Sequence, residues 1–394
     1  MHDTPLRLSH RARDIEPFHV MSILAQARAM EAAGRSIIHM EIGEPDFPTP
    51  SPIVEAGIRA LRAGHTHYTP ALGLPELREA ISRFYRDRYA VEVSPARIAV
   101  TPGASGALQL VLAMLINPGD RVLITDPGYP CNRHLVRMAE GEAAGLNVSA
   151  ATGFQPTAQQ VSAAWSERTA ALLLASPANP TGTLIAPALM REIFEVVMGK
   201  RGCMIVDEIY HGLVYEAQPA ATALALSDDV FVVNSFSKYF GMTGWRLGWL
   251  VLPESYAAHA DKLAQNLFLA ASTPAQYAAL AAFHPETIAV LETRRREFAA
   301  RRDYLIAALR ELGFDVPVTP GGAFYVYADC RRFSSGSYEF AAEILEKAGV
   351  ALTPGADFGH NLPERYLRFA YTTSIANLEE GVRRLRDFLA RRAA

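Results

Sequence analysis

VFVVNSFSKYFGMTGWRLGWLVL, residues 230–252, holds two apolar runs around a polar loop. Val230–Val233 and Gly248–Leu252 lack polar alternation. Strands buried on both faces of a parallel sheet read this way. Between them the chain offers Ser235, Ser237, Lys238 and then Arg246. A serine–lysine loop alone is most often solvated surface, so its meaning depends on what else the chain brings to the same place.

Outward from that stretch the same grammar recurs. RIAVT (97–101) leads into GASGALQLVLAML, and RVLIT (121–125) into DPGYP. AALLLAS (170–176) leads into PANPTG and CMIVD (203–207) into EIY. Apolar runs alternating with helical patterns predict an α/β fold: a mostly parallel central sheet flanked by helices. Pro75 opens a helix over ELREAISRFYRDRY, since proline suits a first helical turn. Leu291, Phe298, Leu305 and Leu312 recur on one face of a charged segment that Gly313 closes, which predicts one long helix. Beyond it, GFDVPVTPGGAFYVYAD and YLRFAYTT predict strands of a smaller α+β domain. Asn377 with Glu380 predicts a capping box before LEEGVRRLRDFL.

Half of the 394 residues are hydrophobic and the formal net charge is −3, which gives no electrostatic footprint for nucleic acid or an anionic membrane. Cys131, Cys203 and Cys330 are far apart, so neither a disulfide framework nor a zinc site is expected, and no metal site is read elsewhere. No signal peptide or membrane span is read, and the expected location is the cytoplasm.

Polar residues cluster at the strand exits, where open α/β sheets bind ligands. The first exit offers Gly103, Ala104 and Ser105 at a helix start, whose free N–H groups suit an anion. The next three offer Tyr129, then Asn179, then Asp207 with Tyr210. The fifth is the serine–lysine loop. Together they supply an anion cradle, an aromatic plate, an acid and a lysine, a set that suits pyridoxal phosphate.

With these residues in view, the chain resembles the class I/II, fold-type-I pyridoxal-phosphate-dependent aminotransferases. The resemblance is carried by YTPALGLPELREAI (68–81), SPANPTG (176–182), VDEIY (206–210), SFSKYFGMTGWRLGW (235–249) and YLRFAY (366–371), in family order over residues 30–390. It implies a large cofactor-binding domain over 48–295 and a small domain from both termini, 1–47 and 296–394. It implies that Lys238 holds pyridoxal 5'-phosphate as a Schiff base and then moves the substrate proton. Asp207 would face the ring nitrogen, Tyr210 and Asn179 the ring oxygen, and Tyr129 the ring face. Ala104, Ser105, Ser235, Ser237 and Arg246 would surround the phosphate. Tyr68 would reach the phosphate of a neighbouring subunit, which implies a homodimer. Arg368, Asn179 and Gly43 would meet the substrate, with Arg368 on its α-carboxylate.

The implied activity is ping-pong transfer of an amino group between an L-amino acid and a 2-oxo acid. A C–S β-lyase or related eliminase, using the same residues, is the alternative. A cofactor-sensing regulator is a further one, against which stand the acidic charge and the short segment, about 30 residues, ahead of the resemblance. The sequence leaves the substrate side chain open.

Overall fold

A computed structural model describes residues 7–216 and 220–393. Seven strands form the large sheet: β1 (Ile98–Thr101), β2 (Arg121–Asp126), β3 (Glu142–Asn147), β4 (Thr169–Ala175), β5 (Cys203–Asp207), β6 (Phe231–Ser235) and β7 (Gly248–Val251). Their spatial order is β1-β7-β6-β5-β4-β2-β3. β7 runs antiparallel to both its neighbours, and the remaining pairings are parallel. The continuous apolar runs arise because both faces are covered. Leu172, Val206 and Val232 pack into one cluster of buried side chains, while Leu173, Ile205 and Val233 pack into a second. Successive side chains point to opposite faces of a strand, so each run serves two cores.

The helices that position the site are α1 (His19–Ala32), α2 (Pro75–Tyr89), α3 (Gly103–Leu115), α4 (Pro285–Leu312) and α5 (Ile375–Ala393). Pro75 opens α2 as expected. α4 runs unbroken for 28 residues, or about 42 Å, and Gly313 ends it in the left-handed region at φ 93°. The expected domain boundary at 295/296 falls within this helix.

A second sheet joins β8 (Tyr325–Asp329), β9 (Thr353–Pro354) and β10 (Tyr366–Ala370), antiparallel, in the order β9-β10-β8. Ile38–His39 pairs in parallel with Val350–Ala351, which ties the N-terminal segment to this second unit.

Two sequence expectations change, and one strand was not expected. GWLVL reads as a parallel strand but runs antiparallel between β1 and β6, because continuous burial reports covered faces and carries no direction. EAAGLN, which forms edge strand β3, gave no strand signal: it is alanine- and glycine-rich, and alternate residues are exposed. The capping box at Asn377 and Glu380 does not form. Ser374 Oγ takes the Asn377 N–H at 3.3 Å and α5 starts at Ile375. Glu380 instead pairs with Arg383 and Arg384, at 2.8 and 2.7 Å.

Candidate active site

β1, β2, β4, β5 and β6 are parallel, so their C-terminal ends open on one side of the sheet. A cavity of about 830 Å³ lies there. Ala104, Ser105, Tyr129, Asn179, Asp207, Tyr210, Ser235, Ser237, Lys238, Arg246, Gly43 and Arg368 all line it. Tyr68 does not: it is 83% exposed on the surface of the chain.

Lys238 sits just past the end of β6. Its Nζ donates to the Gly43 carbonyl at 2.7 Å. Burial pushes the amine down to about 8, against the opposing pull of Glu44, while Arg368 and Arg246 lower it further. A neutral amine is the form that attacks carbonyl carbon or accepts a proton, so burial prepares this lysine for either role. The other three lysines, Lys200, Lys262 and Lys347, are exposed. Gly43 must be glycine for contact reasons: an added Cβ would fall 1.9 Å from the Tyr325 hydroxyl.

Asp207, the last residue of β5, is buried and accepts the Ile209 N–H at 3.0 Å. Burial raises it to about 6, opposed by the Ile209 N–H and by Lys238. Such a carboxyl is short of positive partners, and a protonated ring nitrogen would supply one. The Tyr210 hydroxyl lies 3.0 Å from that of Tyr325, and burial raises its pKa well above the ordinary value.

The α3 start forms a concave corner. Gly103 takes φ 71°, and a Cβ there would come within 2.8 Å of Arg246 Nη2. Gly248, on β7, would place a Cβ 2.8 Å from Ala104 N, so glycine at both positions lets the guanidinium and the helix start converge. Arg246 itself is left-handed at φ 53°, and its Nη1 donates to the Thr243 carbonyl at 3.0 Å. The Ser235 hydroxyl lies 2.9 Å from Ser237 Oγ and 3.1 Å from the Leu247 carbonyl, so its hydrogen serves the loop that carries Ser237 and Lys238.

Arg368, mid-strand in β10, is buried. Its Nη1 donates to Asn179 Oδ1 at 2.9 Å, and its Nη2 to the Glu41 carbonyl and to Thr353 Oγ1 at 3.1 Å. Its Nε is buried with no hydrogen-bond partner, and the residue lines the cavity. The guanidinium carbon lies over the Tyr325 and Phe358 rings, 4.3 and 4.9 Å from their centroids.

Sequence reasoning missed several lining residues. Tyr325 was read only as part of a strand, yet it touches Tyr210, Arg368 and Gly43. Phe18, Val20 and Met21 at the α1 start, with Asp357 and Phe358 before β10, also line the cavity. No local pattern marks them. Their arrival depends on the Ile38–Val350 pairing and on contacts more than 300 residues apart in sequence, such as His19 with Asp357.

With the geometry in place, the comparisons are specific. A family model described as aminotransferase class I and II matches residues 35–385. A (5-formylfuran-3-yl)methyl phosphate transaminase of Methanocaldococcus jannaschii is 39% identical, over 97% of this chain and 99% of its own. A valine–pyruvate aminotransferase of Mycobacterium tuberculosis is 36% identical, over 95% and 97%. The crystal structure of an aminotransferase from Mycobacterium tuberculosis superposes with a TM-score of 0.95 at 36% identity, over 98% of this chain and all of that one.

Proposed function

The chain belongs to the class I and II aminotransferases, and from that premise we infer that it moves an amino group between an L-amino acid and a 2-oxo acid by a ping-pong reaction around Lys238. The observation that carries the reading is the convergence of a buried, pKa-lowered lysine, a buried aspartate and a partly unfilled arginine in one cavity.

The residues fit pyridoxal 5'-phosphate. Gly103 and Arg246 leave a cradle that any side chain at 103 would fill, Tyr129 offers a ring face, and Asp207 is a carboxyl in want of a positive partner. When bound, the cofactor supplies an electron sink for the pair left as the substrate α-carbon loses its proton. Lys238 would hold the aldehyde carbon through its Nζ. Once released, the same Nζ would take the α-proton and return it. Asp207 would keep the ring nitrogen protonated, while Tyr210 and Asn179 donate to the ring oxygen. Ala104, Ser105, Ser237 and Arg246 would bind the phosphate, with Ser235 holding the loop in place. Arg368 would clamp the α-carboxylate common to both substrates, and Gly43 would keep the backbone close enough for that group to enter.

Tyr68 is a large exposed aromatic beside the α2 start, consistent with reaching a second copy's phosphate in a homodimer. We place the large domain at 48–295 and the small one at 1–47 and 296–394. Among the described residues no helix is long and apolar enough to cross a membrane. Three free cysteines fit a reducing compartment, the cytoplasm. The lyase alternative draws no support from the relatives above, which are named as aminotransferases.

The test is direct. The purified chain with pyridoxal phosphate, an amino acid and a 2-oxo acid should yield the exchanged pair, and Lys238→Ala should not. Release of ammonia with no need for an oxo-acid acceptor would establish the lyase reading instead.

A further inference from the structure

We propose that Tyr325 is a positioning residue of the reaction: its hydroxyl donates to the Tyr210 hydroxyl and so commits the single Tyr210 hydrogen to the cofactor's ring oxygen. The proposal rests on the reading above, in which Tyr210 meets that oxygen. The two hydroxyls lie 3.0 Å apart, and the geometry allows either to donate. A tyrosine has one O–H hydrogen and can also accept. Once Tyr210 spends its hydrogen on the ring oxygen, the bond between the tyrosines has one hydrogen left, that of Tyr325. Among the described residues the Tyr325 hydroxyl has no other hydrogen-bond partner. The order is therefore Tyr325 to Tyr210 to ring oxygen.

The fold fixes this pair from several sides. Tyr210 lies just past the end of β5, and Tyr325 opens β8, where it pairs with Ala370 of β10. Their rings meet edge to face, with centroids 5.8 Å apart, and Phe324 packs against both. Gly43 closes another side, since only its missing Cβ leaves room for the Tyr325 hydroxyl. Tyr210 and Tyr325 are 5% and 2% exposed within one chain, so the pair stands whether or not a second copy covers the cavity. Burial raises the pKa of both phenols, so each keeps its hydrogen at neutral pH.

In a buried chain of hydrogen bonds each donor polarises the next. A hydroxyl that accepts a bond becomes a stronger donor, so Tyr210 draws more charge from the ring oxygen. That oxygen also holds the proton of the Lys238 Schiff base, and a less negative oxygen holds it less tightly. Tyr325 thus lowers the pH at which the Schiff base gives up its proton, acting through Tyr210.

The test is a spectrophotometric pH titration of the protein loaded with pyridoxal phosphate, which reads the Schiff-base pKa and not turnover. Tyr325→Phe removes the hydroxyl and keeps the ring beside Arg368. It should raise that pKa by about half a unit, and Tyr210→Phe, which removes the donor itself, by about one unit or more. In the Tyr210→Phe background Tyr325→Phe should add nothing. A pKa that Tyr210→Phe moves and Tyr325→Phe does not overturns the proposal and leaves the Tyr210 reading intact. An equal rise from Tyr325→Phe in both backgrounds also overturns it, since the effect then bypasses Tyr210. A pKa that Tyr210→Phe does not move overturns the placing of Tyr210 on the ring oxygen, and the proposal with it.

Discussion

Arg368→Lys tests the substrate end of the site. The guanidinium is held by Asn179 at 2.9 Å, by Thr353 at 3.1 Å and by the Glu41 carbonyl, over the Tyr325 and Phe358 rings. The residue lines the cavity, and its Nε has no hydrogen-bond partner. Lysine keeps the charge but offers a compact ammonium without the planar fork. It cannot serve Asn179, Glu41 and a bidentate carboxylate together. Leaving a buried carboxylate poorly matched costs about 2–5 kcal/mol. At about 1.4 kcal/mol per factor of ten, kcat/KM should fall roughly 30- to 4,000-fold. The α-carboxylate is common to donor and acceptor, so both half-reactions should slow alike. Cofactor content should hold, since the hydrogen bonds of Arg368 go to Asn179, Thr353 and the Glu41 carbonyl and none to the α3 start. The assay is single-turnover absorbance with an amino acid and, separately, with a 2-oxo acid. If only one half-reaction slows, Arg368 is not a shared carboxylate clamp and the reasoning fails.

Asp207→Ala removes the carboxyl that would face the ring nitrogen, and turnover should drop by about 10²-fold or more while cofactor still binds; near-wild-type turnover would take Asp207 out of the mechanism. Tyr68→Phe should raise the cofactor Kd about ten-fold or more by losing a hydrogen bond to a charged group, and the protein should sediment as a dimer; a fully active monomer would contradict this. His39 bonds Glu41 at 2.7 Å, and that bond raises its pKa from 6.5 to about 9 despite partial desolvation. A raised folded pKa gives stability that is complete below pH 6.5 and lost as pH rises through about 9. Thermal unfolding of wild type should therefore weaken from pH 7 to 10 more than that of His39→Gln, and parallel curves would dismiss the pair.

The sequence carried the site's large-domain half well because each piece is local. β5 ends at Asp207 and β6 at Ser235, where the apolar runs stop, and the polar residues that follow need only the parallel register to meet. Strand direction was less legible, since β7 is as apolar as its neighbours. The α1 side of the cavity was invisible for a different reason. Val20 and Phe358 line the cavity beside the bonds that Asp357 accepts from the α1 amides, a contact between residues 337 apart in sequence at Val20. Tyr325 likewise owes its place to a hydroxyl contact and to the missing Cβ of Gly43.

The central claim is that Lys238 is the amine that carries the chemistry. The chain has four lysines, at 200, 238, 262 and 347, which makes the test clean. The protein loaded with pyridoxal phosphate is reduced with borohydride, digested, and mapped by mass spectrometry. The account predicts one pyridoxyl adduct per chain, on Lys238, with none on Lys238→Ala. A wild-type adduct on Lys200, Lys262 or Lys347 instead of Lys238 would contradict it.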